Sequence, residues 1–290
     1  MGPCGSPSYF QQVIAIVVLV GLIHTICELY IDDVFIHAAT EEDFIRRLRL
    51  IFERFRKHKI TLNPQKCTLG ASALEFVGHT ISADGITFAR PRIDAVLDIP
   101  APIYERGLKK FLGVVNYFHD HIKNHSIITY PLQLLIRKYI PTKKIEWTPD
   151  AVQAFADIKD AINNCPILSF IDEHAPIYLQ TDACDYGIGA YLFQLVDGKE
   201  IPIAMASRSL TDRECRWSIP EKECYAIYFA LVKFEYLLRD VHFTIRTDHK
   251  NLTYLNNSDN EKVNRWKIKI QHYNFDIEYL AGEDNHVADA

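Results

Sequence analysis

Cysteines spaced for a metal site or a disulfide framework are missing from this chain of 290 residues. Its seven cysteines are scattered without a CxxC pair, and their number is odd. The sequence therefore disfavours both a zinc site and a disulfide-stapled fold. This cysteine usage is typical of a reducing compartment, and we expect an intracellular protein, located in the cytoplasm or nucleus.

Hydrophobic runs long enough to span a membrane are also lacking. The apolar stretch at residues 13–23 is shorter than the roughly 20 residues that a spanning helix needs, and no Lys or Arg precedes it. We expect no membrane association and predict that this stretch is a buried helix. With 48% hydrophobic residues, the chain can form two or three compact units.

An excess of positive charge is absent as well, since the formal net charge is −5. Residues 1–150 hold 18 Lys and Arg against 15 Asp and Glu, whereas residues 151–290 hold 14 against 22. Binding to phosphates needs only a local basic surface, and a solvated helix face is an equal alternative. The basic candidates are Arg106, Lys109, Lys110, Lys123, Arg137, Lys138, Lys143 and Lys144.

What the sequence does contain is a set of four carboxylates in its second half: Asp182, Glu223, Asp248 and Asp289. Any one of them, taken alone, would most simply be a solvated surface acid. Four acids from separate segments, however, can hold two hard divalent cations beside a phosphodiester. The first hypothesis is metal-dependent cleavage of nucleic acid.

Two of these acids are predicted at strand ends. Asp182 follows an alternating apolar run that includes Ile177 and Leu179, and a second apolar run begins at Gly187. Asp248 closes an alternating segment that includes Phe243 and Ile245. Alternation with period two is typical of half-buried strands.

The third acid is predicted on a helix. Ser218, Pro220 and Glu221 together indicate a helix start with a capping box, which gives Glu221 a structural role. Glu223 shares a helical stripe with Ala226, Ile227, Ala230 and Phe234. A carboxylate in such a buried stripe is costly unless it is paired or binds a metal.

The segments YLQTDACDYGIGAYLFQ, IPEKECYAIYFAL, FTIRTDHKNLTYL and NRWKIKIQHYNFDIEYLAGEDNHVADA resemble the RNase H domain of gypsy-type LTR retrotransposon polyproteins. The resemblance implies an RNase H-like mixed β-sheet flanked by helices. It also implies that two Mg²⁺ ions, or alternatively Mn²⁺, bind to Asp182, Glu223, Asp248 and Asp289. The implied substrate is the RNA strand of an RNA–DNA hybrid. Cys184 stands where the family often has serine.

An earlier segment, CELYIDDVFIH, contains two apolar runs that meet at Asp32 and Asp33. This pattern predicts a hairpin with adjacent carboxylates at its tip, although an ordinary Asp-rich turn is an alternative. The segment is similar to the Tyr-x-Asp-Asp loop of reverse transcriptases. That resemblance implies that Asp32 binds catalytic Mg²⁺ and that Asp33 assists.

The segments that follow, LNPQKCTLG and LEFVGHTISADGI, resemble later palm motifs and the primer grip of the same polymerases. The resemblance places Lys66 near the incoming nucleotide and implies that Phe76, Gly78 and His79 support the primer terminus. LKKFLGVVNYFHDHI, which contains Lys109 and Lys110, and PLQLLIRKYI predict two helices that resemble the thumb.

The fold class expected from these segments is α+β or α/β, with a truncated reverse transcriptase palm and a helical thumb followed by the RNase H-like sheet. The expected divisions are residues 1–90 for the partial palm, 91–145 for the thumb-like connection, 146–174 for a linking segment and 175–290 for the RNase H-like domain. Phe44, Leu48, Ile51 and Phe55 predict one helix of the palm, with its start at Thr40 and Asp43.

The expected function is magnesium-dependent cleavage of RNA in RNA–DNA hybrids. In the polymerase family another metal-binding aspartate lies well upstream of the YIDD segment, so we expect polymerase activity in a full-length parent and none in this chain. The alternative is a catalytically inactive remnant, or a domesticated nucleic-acid-binding or protein-binding module. Asp289 close to the chain end favours that alternative, because a ligand on a frayed end is poorly held. The sequence does not determine the oligomeric state.

Overall fold

The computed structural model describes residues 4–247 and 261–279. The chain divides into two compact units, residues 1–83 and 84–290. Each unit has its own buried apolar side chains.

The described part of the first unit contains two α-helices and two hairpins. Its elements are α1 (Ser6–Val13), β1 (Cys27–Tyr30), β2 (Asp33–Ile36), α2 (Glu41–Lys57), β3 (Ala73–Phe76) and β4 (His79–Ser82). The start predicted for α2 is confirmed, because the Thr40 side chain accepts a hydrogen bond of 3.2 Å from the backbone N–H of Asp43. Its inward stripe buries Ile51 and Phe55 in the core of this unit.

The predicted buried helix at residues 13–23 is wrong in its bounds. Helical structure begins earlier, at α1, and continues through a π-helical segment, Ile14–Val18, where it ends. Ile14 and Val18 are buried, but Ile16 is 62% exposed. Because side chains project from all sides of a helix, an uninterrupted apolar run is buried only on the helix face that meets the core.

The described part of the second unit combines helices with a five-stranded sheet. Its first elements are β5 (Gly85–Thr87), α3 (Arg90–Leu97), α4 (Glu105–Val115), α5 (His125–Leu134) and α6 (Pro149–Asn163). The elements that follow are β6 (Ile177–Ala183), β7 (Gly187–Val196), β8 (Lys199–Ser209), α7 (Ile219–Lys233), α8 (Glu235–Leu238), β9 (His242–Thr247), α9 (Glu261–Ile270) and β10 (Asn274–Tyr279).

The described strands of the sheet run in the order β10-β9-β6-β7-β8. The pairs β6–β7 and β7–β8 are antiparallel, whereas β6–β9 and β9–β10 are parallel, so the sheet is mixed as expected. α7 and α9 contribute to the apolar core beside this sheet. Residues 187–194 of β7 are all buried, because α5 packs against β7 and β8 while α7 packs against β6 and β7.

The second predicted thumb-like helix begins earlier than expected. Instead of starting at Pro131, α5 begins at His125 and contains Pro131 in its interior. The buried side chains of α5 are His125, Thr129 and Leu132, which are spaced for one helical face. Burial of that face outweighs the local cost of a proline within a helix.

Within residues 4–247 and 261–279, no helix combines the length and the apolar character needed to cross a bilayer.

Candidate functional site

Asp182 is the penultimate residue of β6, as predicted. It is half-buried and pairs in register with Gly189 of β7. Because side chains alternate along a strand, Asp182 shares its face of the sheet with Tyr178 and Gln180, whereas Leu179 points toward the core beneath α7. The carboxylate therefore lies at the carboxyl end of β6.

Glu223 lies near the amino end of α7 and is only 9% exposed. The predicted capping box that begins this helix is confirmed, since Ser218 and Glu221 bond reciprocally through side chain and backbone. Glu221 also pairs with Lys262 at 3.0 Å. The two nearby glutamates thus differ as expected: Glu221 caps the helix, and Glu223 is buried among the residues that pack on the sheet.

Lys222 links the first turn of α7 to the turn after β6. Its ammonium lies 2.8 Å from Oδ1 of Asp185, in the turn after β6, and its side chain is only 4% exposed. The hydrogen bond and charge attraction lower the pKa of the Asp185 carboxyl. The first turn of α7, and Glu223 with it, therefore lies at the end of β6 that carries Asp182. This ion pair was not predicted from the sequence.

The two described acids suit magnesium in their chemistry. Carboxylate oxygens are the ligands that Mg²⁺ and Mn²⁺ prefer. The other two predicted ligands, Asp248 and Asp289, lie outside the described residues. In the ranges 4–247 and 261–279, no group of three or more His, Cys, Asp and Glu side chains is arranged to hold a metal ion. The convergence of all four acids on a metal pair stays a prediction.

Two residues that precede α5 face the Asp182 side of the sheet. Asn124 donates a hydrogen bond of 3.1 Å from Nδ2 to Oδ2 of Asp182. The Lys123 ammonium lies 5.3 Å from the ring centroid of Tyr191. Burial lowers the pKa of Lys123, and the carboxylates of Glu200 and Asp182 oppose that shift. From the sequence, Lys123 was predicted only as part of a basic surface, and no role was predicted for Asn124.

In the first unit, Asp32 and Asp33 occupy the tip of the predicted hairpin. β1 and β2 pair antiparallel with Tyr30 opposite Asp33, so the turn consists of Ile31 and Asp32. Both aspartates are exposed, and Ile31 has a φ of +54°. The prediction of a hairpin with carboxylates at its tip is confirmed, whereas the metal-binding role stays a prediction.

The residues predicted to support a primer terminus form a second hairpin in the same unit. Phe76 pairs with His79, and Val77 and Gly78 form the turn, both with positive φ. The ring centroid of Phe76 lies 5.5 Å from that of Phe35 in β2. The two hairpins therefore touch.

The predicted nucleic-acid-binding lysines are all exposed. Lys66 ends a short 3-10 turn, Pro64–Lys66, while Lys109 and Lys110 lie on the outer face of α4. The Lys109 ammonium lies 4.3 Å from the ring centroid of Tyr139. Of the wider basic set, Arg137 pairs with Asp212 and Lys143 with Glu105. Both interpretations of this basic set, phosphate binding and a solvated helix face, stay open.

Comparison with known protein families finds two matches along the chain. Residues 1–81 match the reverse transcriptase (RNA-dependent DNA polymerase) family. Residues 172–273 match the family described as the RNase H-like domain found in reverse transcriptase.

Similar curated proteins are transposon polyproteins. The retrovirus-related Pol polyprotein from transposon 412 of Drosophila melanogaster is 32% identical over 287 residues, which is 98% of this chain and 23% of that protein. The transposon Tf2-3 polyprotein of Schizosaccharomyces pombe is 33% identical over 274 residues, 92% of this chain and 20% of that protein. The chain thus spans about a quarter or less of the length of these relatives.

Solved structures of foamy viral protease-reverse transcriptase share the fold. One, in complex with dsDNA, is 21% identical with a TM-score of 0.77 and covers 97% of this chain and 60% of its own. Another, in complex with RNA/DNA hybrid, is 21% identical with a TM-score of 0.76 and covers 98% of this chain and 40% of its own.

The family matches and the mixed sheet with Asp182 and Glu223 at one end define the class: a reverse transcriptase sequence followed by its RNase H-like domain. More particularly, the chain belongs with the Pol polyproteins of LTR retrotransposons, in the region that carries reverse transcriptase and RNase H. The family resemblance expected from the sequence motifs is confirmed.

Proposed function

We propose that the RNase H-like domain cleaves the RNA strand of RNA–DNA hybrids in a reaction that depends on Mg²⁺. The observation that carries this proposal is the placement of Asp182 and Glu223 at the same end of β6, secured by the Lys222–Asp185 ion pair. The domain belongs to a family found in reverse transcriptases, and such domains generally use divalent metals.

In the proposed mechanism, Asp182 and Glu223 hold the divalent cations, together with Asp248 and Asp289. When bound, the two ions supply activation of the attacking water and stabilisation of the departing 3′-oxygen. The buried position of Glu223 restricts its rotamers, so its carboxylate is held ready for a cation. Selection of a hybrid would rest on minor-groove shape and 2′-OH contacts, since side chains cannot read the narrow major groove of A-form duplexes.

The decisive variant is Asp182→Asn, which keeps the shape of the side chain and removes its charge. With a labelled RNA–DNA hybrid and Mg²⁺, we expect cleavage to fall by about 100-fold or more, because loss of one carboxylate weakens both cation binding and charge stabilisation. Gel analysis of the labelled RNA measures the rate.

The matched control is Asp197→Asn, in the turn between β7 and β8. Asp197 has a φ of +52°, and asparagine tolerates that conformation, so the same charge is removed without backbone strain. Cleavage by this variant should equal that of the unaltered chain. Equal cleavage by the Asp182 variant would contradict the proposal, and absence of cleavage by the unaltered chain would favour the inactive or domesticated binding module.

We also propose that Asp32 and Asp33 serve an RNA-directed DNA polymerase in a longer polyprotein that contains this sequence. The support is the hairpin that presents both carboxylates and its contact with the second hairpin through Phe35 and Phe76. Asp32→Asn in such a polyprotein should abolish primer extension on an RNA template. An undiminished extension rate would refute that role.

An intracellular location stays a prediction.

A further inference from the structure

The segment that contains α5 lies directly on the face of the sheet that carries Asp182. The backbone N–H of Ser126 donates a hydrogen bond of 2.8 Å to Oγ of Ser207 in β8. Tyr130 stacks on Tyr186, with ring centroids 4.2 Å apart and planes inclined by 11°. These contacts hold the start of α5 in a defined position over β7 and β8.

Asn124 precedes α5 and reaches the Asp182 carboxylate from this position. Its Nδ2 donates to Oδ2 of Asp182 at 3.1 Å. Its backbone has a φ of +56°, a left-handed conformation that asparagine adopts more readily than most residues. An ionised carboxylate has about four acceptor positions on its two oxygens, so accepting this bond is compatible with binding a cation.

Gly189 makes room for the Asn124 side chain. It is the register partner of Asp182 on β7, and a Cβ built on Gly189 would lie 1.9 Å from Oδ1 of Asn124. A glycine within a strand often marks a close approach by another group. The amide is therefore held between the bare backbone of β7 on one side and the carboxylate of β6 on the other.

We propose that Asn124 is a positioning residue that orients the Asp182 carboxylate for cation binding. The inference rests on the proposed nuclease function and deepens it, because it assigns a residue outside the matched RNase H-like range of 172–273 to the same site. Hydrogen bonds from neighbouring groups commonly orient the ligands of a metal and raise its affinity. The hydrogen bond from the Asn124 amide to Oδ2 limits rotation of the Asp182 carboxylate, so the two carboxylate oxygens keep a constant direction.

The first test is Asn124→Gly in the full chain, with Mn²⁺ binding followed by water-proton relaxation in the absence of nucleic acid. Glycine tolerates the positive φ, so the variant removes the amide without backbone strain. The part of the Mn²⁺ binding that is lost in Asp182→Asn is assigned to the candidate site. For that portion, we expect the Mn²⁺ concentration at half-saturation to rise on the order of 10-fold.

The second variant, Gly189→Ala, tests the same contact without altering Asn124. The new methyl group would displace the Asn124 amide from Asp182, and we expect a similar weakening of Mn²⁺ binding. Its control is Gly113→Ala in α4, where the added Cβ would meet no neighbouring side chain within 4 Å. Asp197→Gly, which removes a polar side chain at another position of positive φ in the turn after β7, is the control for Asn124→Gly. Both controls should bind Mn²⁺ within about twofold of the unaltered chain, since neither touches a metal ligand or its partner.

The outcomes separate this inference from the nuclease proposal. Unchanged or tighter Mn²⁺ binding by Asn124→Gly, an equal loss in the controls, or no binding that depends on Asp182 would each overturn the positioning role. If the unaltered chain cleaves hybrid and Asn124→Gly binds Mn²⁺ as tightly as the unaltered chain, the positioning role is refuted and the nuclease proposal stands. Weakened Mn²⁺ binding by Asn124→Gly and Gly189→Ala, in a chain that does not cleave hybrid, would support positioning and refute the nuclease.

Discussion

His125 is a buried histidine whose protonation should affect stability. It is 5% exposed, and burial, with a further contribution from nearby His119, lowers its pKa to about 4. The unfolded chain binds this proton at its ordinary pKa near 6.5, whereas the folded chain resists binding until about pH 4. The stabilising contribution is thus present above pH 6.5 and is lost as the pH falls toward 4.

We expect His125 to contribute a loss of roughly 3 kcal/mol in the free energy of unfolding between pH 7 and pH 4. The measurement is urea unfolding followed by tryptophan fluorescence, because Trp147, Trp217 and Trp266 all lie in the second unit. His125→Gln should flatten this part of the pH profile, and the difference between the two profiles isolates the histidine. Parallel profiles would refute the assignment.

At the scale of single residues, local sequence patterns predicted some residues of the candidate site, and tertiary contacts revealed the others. Alternation located Asp182 at a strand end, and the capping motif separated Glu221 from Glu223. The partners Asn124 and Lys222 were not recognisable, because Asn124 is 58 residues from Asp182 and Lys222 is 37 residues from Asp185. No periodicity along the chain encodes which side chains meet across such separations.

The amino end of α7 is an element whose stability can be tested directly. Burial alone would raise the pKa of Glu221, but hydrogen bonds from Ser218 and Lys262 outweigh burial and hold this pKa below its ordinary value of 4.5. We expect Glu221→Ala to lower the free energy of unfolding by about 1 kcal/mol at pH 7.

The pH dependence of the same variant follows from the lowered pKa. The contribution of Glu221 is complete above pH 4.5 and is lost as the pH falls through its lower folded pKa, so Glu221→Ala and the unaltered chain should converge in strong acid. Glu221→Gln is the matched control, since glutamine can complete a capping box. A constant difference at all pH values would count against the ionised cap.

Some helix boundaries could be predicted from sequence patterns, and others could not. The start of α2 was predicted because a threonine cap is a local interaction. The start of α5 was not, because a proline is an unfavourable interior residue and only the burial of His125, Thr129 and Leu132 outweighs that preference. The apolar run at residues 13–23 likewise carried no local signal for the helix end at Val18.

At the scale of the whole chain, the two compact units have separate cores. Phe55 is 7% exposed in the core of the first unit, whereas Phe52 on the same helix is 39% exposed. We expect Phe55→Ala to lower the free energy of unfolding of the first unit by about 3 kcal/mol or more, and Phe52→Ala to change it much less.

Two probes distinguish the units in this experiment. Far-ultraviolet circular dichroism responds to helices in both units, whereas tryptophan fluorescence responds to the second alone. For Phe55→Ala, the transition seen by circular dichroism should shift to lower urea while the fluorescence transition and hybrid cleavage are retained. A matching shift of the fluorescence transition would show that the two units unfold together.

The division predicted from sequence, at residues 90, 145 and 174, stays a prediction. The compact units divide at residues 83 and 84, and the family matches cover residues 1–81 and 172–273. Linkers are located by composition, whereas compact units are located by contacts between distant residues.

The sequence by itself determined the class of this protein, the strand that presents Asp182, the helix that presents Glu223 and the hairpin of Asp32 and Asp33. The strand, the helix and the hairpin depend on residues close together along the chain, where periodicity and capping act, whereas the class follows from the resemblance of longer segments to a known family. Only the tertiary structure decided that the segment before α5 rests on β7 and that Asn124 bonds to Asp182. Such contacts depend on the close packing of elements that are remote along the chain, so no local pattern contains them.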